Sequence, residues 1–213
     1  MACMFLTCAR KRIHVPSVYV PSHAQPMAPQ KVALRGARAT CPSKGPRGAA
    51  PITWMSRECL GALIRGDGCP LCAAAQATQL SDDFSVTVTD LTISRLRLVR
   101  NQFVPGYWVL ICPRHVARPC HLPAPDRSAY FDDLLRAVQA IERVYRPIKM
   151  NFELLGSALL HLHTHICPRS YGDPSPSRPI DPDLTRITLS DSDYAERVRQ
   201  LLSALPPASC APP

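Results

Sequence analysis

The chain has 213 residues and a formal net charge of +9 at pH 7, which is distributed unevenly. Residues 1–50 contain eight Lys and Arg and no Asp or Glu, so removing these eight charges leaves only +1 for the rest of the chain. A nearly neutral body argues against a protein that binds nucleic acid through a broad basic surface. No apolar run approaches the length of a membrane-spanning helix, so we expect no membrane partner either.

The N-terminal part of the chain combines its basic charge with frequent prolines and shows no sustained helical or strand period. We therefore predict a disordered extension over residues 1–55, one folded domain over residues 56–205 and a disordered tail over residues 206–213. An organelle-targeting signal is an alternative for the extension, but its prolines would interrupt the amphipathic helix that such a signal needs. The ten cysteines are scattered and no signal peptide is recognisable, which favours a cytoplasmic protein.

The first half of the folded part shows strand patterns after a short helical segment. A short helix and a loop are predicted within residues 56–80. Alternating apolar and polar residues then predict strands over residues 84–91 and 94–99, and a continuous apolar strand follows over residues 107–111. An antiparallel meander is the simplest arrangement of these three strands.

The second half begins with a helical period. Apolar residues recur at three- and four-residue steps over residues 125–146, and two further strands over residues 150–155 and 159–166 form a hairpin. A last helix is predicted to begin at Ser190, with Asp193 as its capping partner. The fold class is therefore α+β: a five-stranded antiparallel sheet with one long helix packed on it and a C-terminal helix.

Three histidines in the last predicted strand are the strongest chemical feature of the sequence. His161, His163 and His165 alternate with apolar or β-branched residues, so a strand would place the three imidazoles on one face. Near neutral pH an imidazole can attack as a nucleophile, donate a proton or bind a metal ion. Surface histidines, or three ligands of one metal ion, are the alternatives. Clustered imidazolium charges repel one another, which favours a chemical role.

The segment His161–Arg169 resembles the signature of the histidine triad family, His-x-His-x-His followed by two apolar residues. Residues 149–156 before it and Asp173-Pro174 after it resemble the family's bacterial, diadenosine-polyphosphate-hydrolase-like branch, and the resemblance covers roughly residues 69–181. It implies a homodimeric nucleotidyl hydrolase that cleaves dinucleoside polyphosphates or other nucleoside 5′-phosphate conjugates. A phosphorylase or transferase of the same family, and a catalytically weak, zinc-stabilised nucleotide-binding protein, are the alternatives.

The resemblance also implies a role for each histidine. His163 is the nucleophile that forms a covalent nucleotidyl-histidine intermediate. His165 contacts the phosphate oxygens, and His161 holds the constellation together. The uridylyltransferase branch of the family replaces the third histidine by Gln, so His165 argues against that branch.

Three further polar residues are candidates for substrate binding. Asn151 matches an Asn that lies near the substrate in the family. Ser157 stands where relatives usually carry Gln or Asn, and its hydroxyl is shorter than an amide and offers fewer donors. Asn101 follows the second predicted strand, where it would reach the ribose or base, or else form part of a charged turn.

A second constellation begins with Cys69 and Cys72, two residues apart in the manner of one half of a tetrahedral zinc site. The resemblance implies that His115 and His161 complete a structural Zn²⁺ site. Two buried thiols and a hydrogen-bonded His115 are the alternative. We expect four other cysteines to occupy the core as small apolar residues: Cys59, Cys112, Cys120 and Cys167.

Overall fold

The computed structural model describes residues 56–78, 81–173, 178–179 and 185–207. The predicted extension over residues 1–55 and the predicted tail beyond Pro207 lie outside the described residues. Within the described ranges, no helix combines the length and the apolar character that a membrane crossing requires.

Five antiparallel strands form one sheet in the order β1-β2-β3-β5-β4. The strands are β1 (Ser85–Asp90), β2 (Arg95–Val99), β3 (Trp108–Ile111), β4 (Lys149–Glu153) and β5 (His163–Arg169). The helices are α1 (Arg57–Arg65), α2 (Pro70–Gln76), α3 (Ala124–Tyr145) and α4 (Asp191–Ala204), and a 3-10 helix spans Pro119–His121. The predicted α+β fold, with its long helix and C-terminal helix, is confirmed. The meander holds for β1 to β3, and β5 lies between β3 and β4.

One face of the sheet packs against α3 and forms the larger core. Trp108, Leu110 and Ile166 are fully buried there, together with Tyr130 of α3. Thr164, which interrupts the apolar pattern of the triad segment, also lies in this core. Its hydroxyl oxygen is 2.9 Å from Tyr130 Oη, so the buried hydroxyl has a hydrogen-bond partner.

The opposite face of the sheet carries a second, smaller core that the sequence analysis did not predict. Leu71 of α2 packs there with Val109 of β3. Arg97 donates to the carbonyl oxygen of Ala74 at 3.0 Å, which satisfies a carbonyl in the last turn of α2. Gly66 ends α1 with a φ of 79°, so the predicted single helix is in fact two short ones.

The turn between β1 and β2 is held by a buried carboxylate on α3. Asp133 is fully buried and accepts hydrogen bonds from the backbone N–H groups of Thr92 and Ile93, at 2.9 and 2.8 Å. It also accepts one from the hydroxyl of Ser94 at 2.8 Å. These three bonds connect the long helix to one end of the sheet.

The triad strand starts later than predicted. Strand β5 begins at His163 instead of residue 159, so His161 lies outside it. The reason is that Leu162 bonds to the chain after β3: its N–H donates to the Val116 carbonyl at 2.5 Å, and its carbonyl accepts from Cys112 N–H at 3.1 Å. The prediction that all three histidines belong to a single strand is therefore wrong, since only His163 and His165 lie within β5.

Two of the four cysteines that were predicted to lie in the core are buried, and two are not. Cys112 and Cys167 are each 1% exposed, as predicted. Cys120 is exposed, contrary to the prediction, because it lies in the short 3-10 helix on the surface. Cys59 lies half-buried on α1, a helix with no buried residue.

Candidate active site and metal centre

His163 is the first residue of β5 and is only 7% exposed. Its Nδ1 lies 2.6 Å from the main-chain carbonyl oxygen of His161. Because a carbonyl oxygen can only accept, Nδ1 carries the proton and Nε2 carries the lone pair. Burial lowers the pKa of His163, which favours the neutral imidazole. This combination gives a nucleophilic nitrogen at neutral pH.

His165 lies beside His163, with the two ring centroids 4.9 Å apart. Burial, reinforced by the charge of His163, lowers the pKa of His165 to about 4. Its Nδ1 is 2.7 Å from the hydroxyl of the buried Tyr107. Sequence reasoning missed Tyr107. The sheet register identifies it, because Val109 pairs with His165, and Tyr107, two residues before Val109 and just ahead of β3, packs in the same core as Val109.

The ring of His161 lies in a cluster with two cysteines and a second histidine. Its Nε2 donates to the carbonyl oxygen of Cys112 at 2.6 Å, which leaves Nδ1 with a lone pair. That Nδ1 lies 3.4 Å from Cys69 Sγ and 3.3 Å from both Cys72 Sγ and His115 Nδ1. All four residues of the predicted metal site are therefore brought together.

His115 is oriented in the same way as His161. Its Nε2 donates to the carbonyl oxygen of Leu63 at 2.9 Å, near the C-terminal end of α1, and its Nδ1 faces the cluster. Gly66 makes this approach possible, because a Cβ at that position would meet the His115 ring at 3.0 Å. Backbone carbonyls thus fix the tautomer of both histidines, as is usual for metal ligands.

The dimensions of the cluster fit a tetrahedral zinc ion. The four ligand atoms lie within 4.8 Å of one another. Zn–N bonds of about 2.0–2.1 Å and Zn–S bonds of about 2.3 Å imply N···N separations of roughly 3.3–3.4 Å and N···S separations of roughly 3.5–3.6 Å in a tetrahedron. The two ring nitrogens are 3.3 Å apart, and the three N···S distances of 3.3–3.4 Å are slightly shorter than these values.

A cavity of about 340 Å³ opens beside His163. Ser157 lines it, and so does Arg118, which sequence reasoning missed. Contact of Ser157 with substrate stays a prediction. Apolar side chains supply much of the remaining wall: Leu154, Leu155, Leu160 and Leu162. The volume lies at the lower end of the range for small-molecule sites.

The other two candidate substrate residues lie elsewhere. Asn151, opposite Cys167 in the sheet, lines a second cavity of about 630 Å³. Asn101 follows β2, and its side-chain amide bonds to the backbone of Thr185 and Ile187, at 2.9 and 3.0 Å. Asn101 therefore lies at the end of the sheet away from His163. His163 pairs with Ile111 of β3, and Ile111 pairs with Arg95, the first residue of β2. Contact of either Asn with substrate stays a prediction.

No protein-family profile and no curated protein matches this sequence. Solved structures do match. A histidine triad protein from Sinorhizobium meliloti superimposes with a TM-score of 0.55 at 16% identity, over 60% of this chain and 98% of that chain. This chain has the histidine triad fold. Histidine triad proteins from Bradyrhizobium japonicum and Marinobacter aquaeolei agree, each with a TM-score of 0.54, at 18% and 17% identity.

The histidine triad fold accounts for the shared part of the chain. The matches cover 58% and 60% of this chain, and 92% and 95% of the Bradyrhizobium and Marinobacter proteins, respectively. The resemblance expected from the sequence is therefore confirmed at the level of the fold. At these identities the likeness concerns the fold alone, and the roles of individual residues rest on their own geometry.

Proposed function

We propose that this chain is a nucleotidyl hydrolase that acts on nucleoside 5′-phosphate conjugates, with dinucleoside polyphosphates as the first substrate class. One observation carries the proposal. His163 is a buried, neutral imidazole whose Nδ1–H is bonded to a carbonyl, so that its Nε2 lone pair is available beside a cavity of ligand size.

The reaction takes two steps. First, His163 Nε2 attacks the α-phosphorus of the nucleotide: an N–P bond forms, and the P–O bond to the leaving group breaks with its electron pair on the departing oxygen. Water then attacks the same phosphorus, the N–P bond breaks, and nucleoside monophosphate and a proton are released. A covalent intermediate replaces one difficult displacement by two easier ones.

His165 contributes to the phosphate site in this proposal. Its ring adjoins that of His163, and its low pKa keeps it neutral at cellular pH. When Tyr107 donates to His165 Nδ1, the remaining Nε2–H is a donor for a phosphate oxygen. Asn151 and Ser157 are the proposed further contacts, and Ser157 is supported by its place in the cavity wall.

We further propose a structural Zn²⁺ held by Cys69, Cys72, His115 and His161. A closed set of four protein ligands with two sulfurs and two imidazoles is typical of structural sites. When bound, the metal supplies the positive charge that keeps both thiolates deprotonated. His161 then acts by position: its ring is fixed in the cluster, and its carbonyl oxygen orients His163.

A cytoplasmic homodimer is also proposed. The sequence resemblance supports it, and so does the exposed edge of the sheet. β4 is an edge strand, and Phe152 and the adjoining Leu155 are 44% and 61% exposed. An edge strand with exposed apolar side chains favours pairing with another chain.

The direct test of the activity is product analysis. The purified full-length protein is incubated with diadenosine tetraphosphate, an adenosine 5′-phosphoramidate and adenosine 5′-phosphosulfate, with and without inorganic phosphate, and the products are separated by chromatography. We expect AMP in the absence of phosphate. ADP that appears only with added phosphate would identify a phosphorylase. Tight nucleotide binding without turnover of any conjugate would identify a binding protein and refute the proposed hydrolase.

A further inference from the structure

We infer that Arg118 selects the leaving group, so that the site prefers conjugates whose leaving group is an anionic phosphate over conjugates whose leaving group is an amine. The inference rests on the proposed function and deepens it by choosing among substrate classes. Arg118 is thus the residue that determines which leaving group the site prefers.

The guanidinium of Arg118 is available to a ligand. Arg118 lines the same cavity as His163 and Ser157. Within the described part of the chain, no hydrogen bond or ion pair engages its side chain, whereas nearby Arg114 pairs with Asp126 at 2.8 Å. None of the described residues that line the cavity is an Asp or Glu. Among these residues Arg118 is the one Lys or Arg, and no carboxylate neutralises it.

Local backbone structure holds Arg118 at this wall. The residue before a proline is restricted to extended conformations, and Arg118, which precedes Pro119, has φ −147° and ψ 152°. Its carbonyl oxygen accepts from the N–H of His121 at 3.0 Å and so belongs to the short 3-10 helix. Ala117 and Pro119 line the cavity on either side of it. Three consecutive residues of this segment thus line the cavity, and the extended conformation of Arg118 and the bond of its carbonyl fix the backbone from which its side chain starts.

The positive charge of the Arg118 guanidinium acts on the bond between the phosphorus and the leaving group, which breaks in the first step. In a polyphosphate conjugate, the P–O bond breaks as the His163 Nε2–P bond forms, and the electron pair stays on an oxygen of the departing phosphate chain. That chain is already anionic, and the guanidinium can bind two of its oxygens at once. An amine leaving group behaves differently, because its nitrogen must take up a proton as the P–N bond breaks and gains nothing from a nearby cation.

The test compares two probes on matched variants of the full-length protein. The probes are diadenosine tetraphosphate and an adenosine 5′-phosphoramidate with an uncharged amine. The variants are Arg118→Ala, Arg118→Lys and, as a control, Arg127→Ala. Arg127 is an exposed arginine at the start of α3 that does not line the cavity, and its guanidinium makes one long contact, 3.5 Å to the Leu122 carbonyl.

We expect Arg118→Ala to lower kcat/KM for diadenosine tetraphosphate by about 10- to 100-fold, the usual effect of losing a charge-assisted hydrogen bond. The phosphoramidate should change less than about threefold. Arg118→Lys should retain part of the preference because the charge remains and the two-oxygen contact is lost. Arg127→Ala should match the wild type on both probes.

The outcomes separate this inference from the proposed function. If the wild type turns over neither probe, the hydrolase itself is refuted, and the inference falls with it. If the wild type is active and Arg118→Ala affects both probes equally, or neither, the leaving-group role is refuted while the hydrolase stands. Melting temperatures within a few degrees of the wild type show that the variants are folded.

Discussion

The proposed nucleophile, His163, owes its reactive tautomer to a main-chain carbonyl. In His163→Asn, the side-chain amide nitrogen can take the place of Nδ1 and keep that hydrogen bond, but no atom replaces Nε2. We expect both His163→Asn and His163→Ala to lower turnover by about a thousandfold or more. His163→Asn should melt closer to the wild type than His163→Ala does, because it satisfies the buried carbonyl.

Turnover is measured with diadenosine tetraphosphate, and nucleotide binding is measured by calorimetry on the same preparations. Both variants should still bind nucleotide, since the rest of the cavity is unchanged. Near wild-type turnover by His163→Asn would mean that another residue is the nucleophile.

His165 makes stability depend on pH. Its pKa falls from an ordinary 6.5 to about 4 in the folded chain, so between these values the unfolded chain binds the additional proton. The free energy of unfolding should therefore fall as the pH drops from about 6.5 towards 4. His165→Phe removes the titrating group, and we expect a flatter dependence. Urea unfolding at a series of pH values measures both slopes, and identical slopes would contradict the assigned burial of His165.

At the residue scale, short spacing in the sequence marked the side chains that the structure brings together as candidate sites. The triad and the Cys69–Cys72 pair are of this kind. Tyr107 and Arg118 were missed because their roles depend on long-range geometry: one reaches His165 through the strand register, the other lies on a cavity wall. For Asn101, the position after a strand suggested a contact with substrate. The sequence did not reveal that its side-chain amide bonds to the backbone of the segment before α4.

The proposed metal site should contribute to the stability of the fold more than to turnover at His163. It links α1, α2 and the segment after β3 to the start of the triad. We expect about one zinc per chain, and Cys69→Ser should destabilise the fold by about 2 kcal/mol or more, because a hydroxyl is a poor zinc ligand. Turnover per folded molecule should change far less. Cys120→Ser is the control, since Cys120 is exposed and lies outside the cluster.

Elemental analysis and thermal unfolding with and without a chelator check the metal site. If protein purified without chelators contains no zinc, the proposed metal site is refuted. Chelation that stops turnover before any unfolding would indicate a catalytic metal instead of a structural one.

Asp133 connects α3 to the β1–β2 turn through three hydrogen bonds. Asp133→Ala leaves two backbone N–H groups and one hydroxyl without this acceptor, so we expect a loss of about 3 kcal/mol in the free energy of unfolding. Asp132→Ala is the matched control, because the neighbouring Asp132 is exposed on the same helix. Urea unfolding measures both. Equal effects of the two substitutions would show that the buried contacts contribute little.

At the element scale, periodicity predicted most helices and strands within a few residues. Helix α4 begins as predicted, with Ser190 accepting from the Asp193 N–H at 3.2 Å. The start of β5 and the docking of α2 were not predicted. Both depend on contacts between distant segments, such as Arg97 with Ala74, which no local pattern records.

For the whole molecule, every proposed site residue lies between Cys69 and His165. We therefore expect a chain that begins at Met55 to keep wild-type turnover, because none of the proposed site residues belongs to the basic, proline-rich segment before it. Activity and solubility of the shortened protein are compared with those of the full chain. Loss of either would show that the N-terminal residues serve the substrate or the fold.

The Cys69–His161 contact joins residues 92 positions apart, and the Cys72–His115 contact joins residues 43 positions apart. Closing such long loops is entropically costly until the intervening sheet has formed. We therefore expect the cluster to close late in folding, so that a zinc ion bound there would slow unfolding more than it speeds folding. His161 belongs both to the cluster and, through its carbonyl oxygen, to the hydrogen bond of His163 Nδ1, so we expect the cluster to open before the sheet when the chain unfolds.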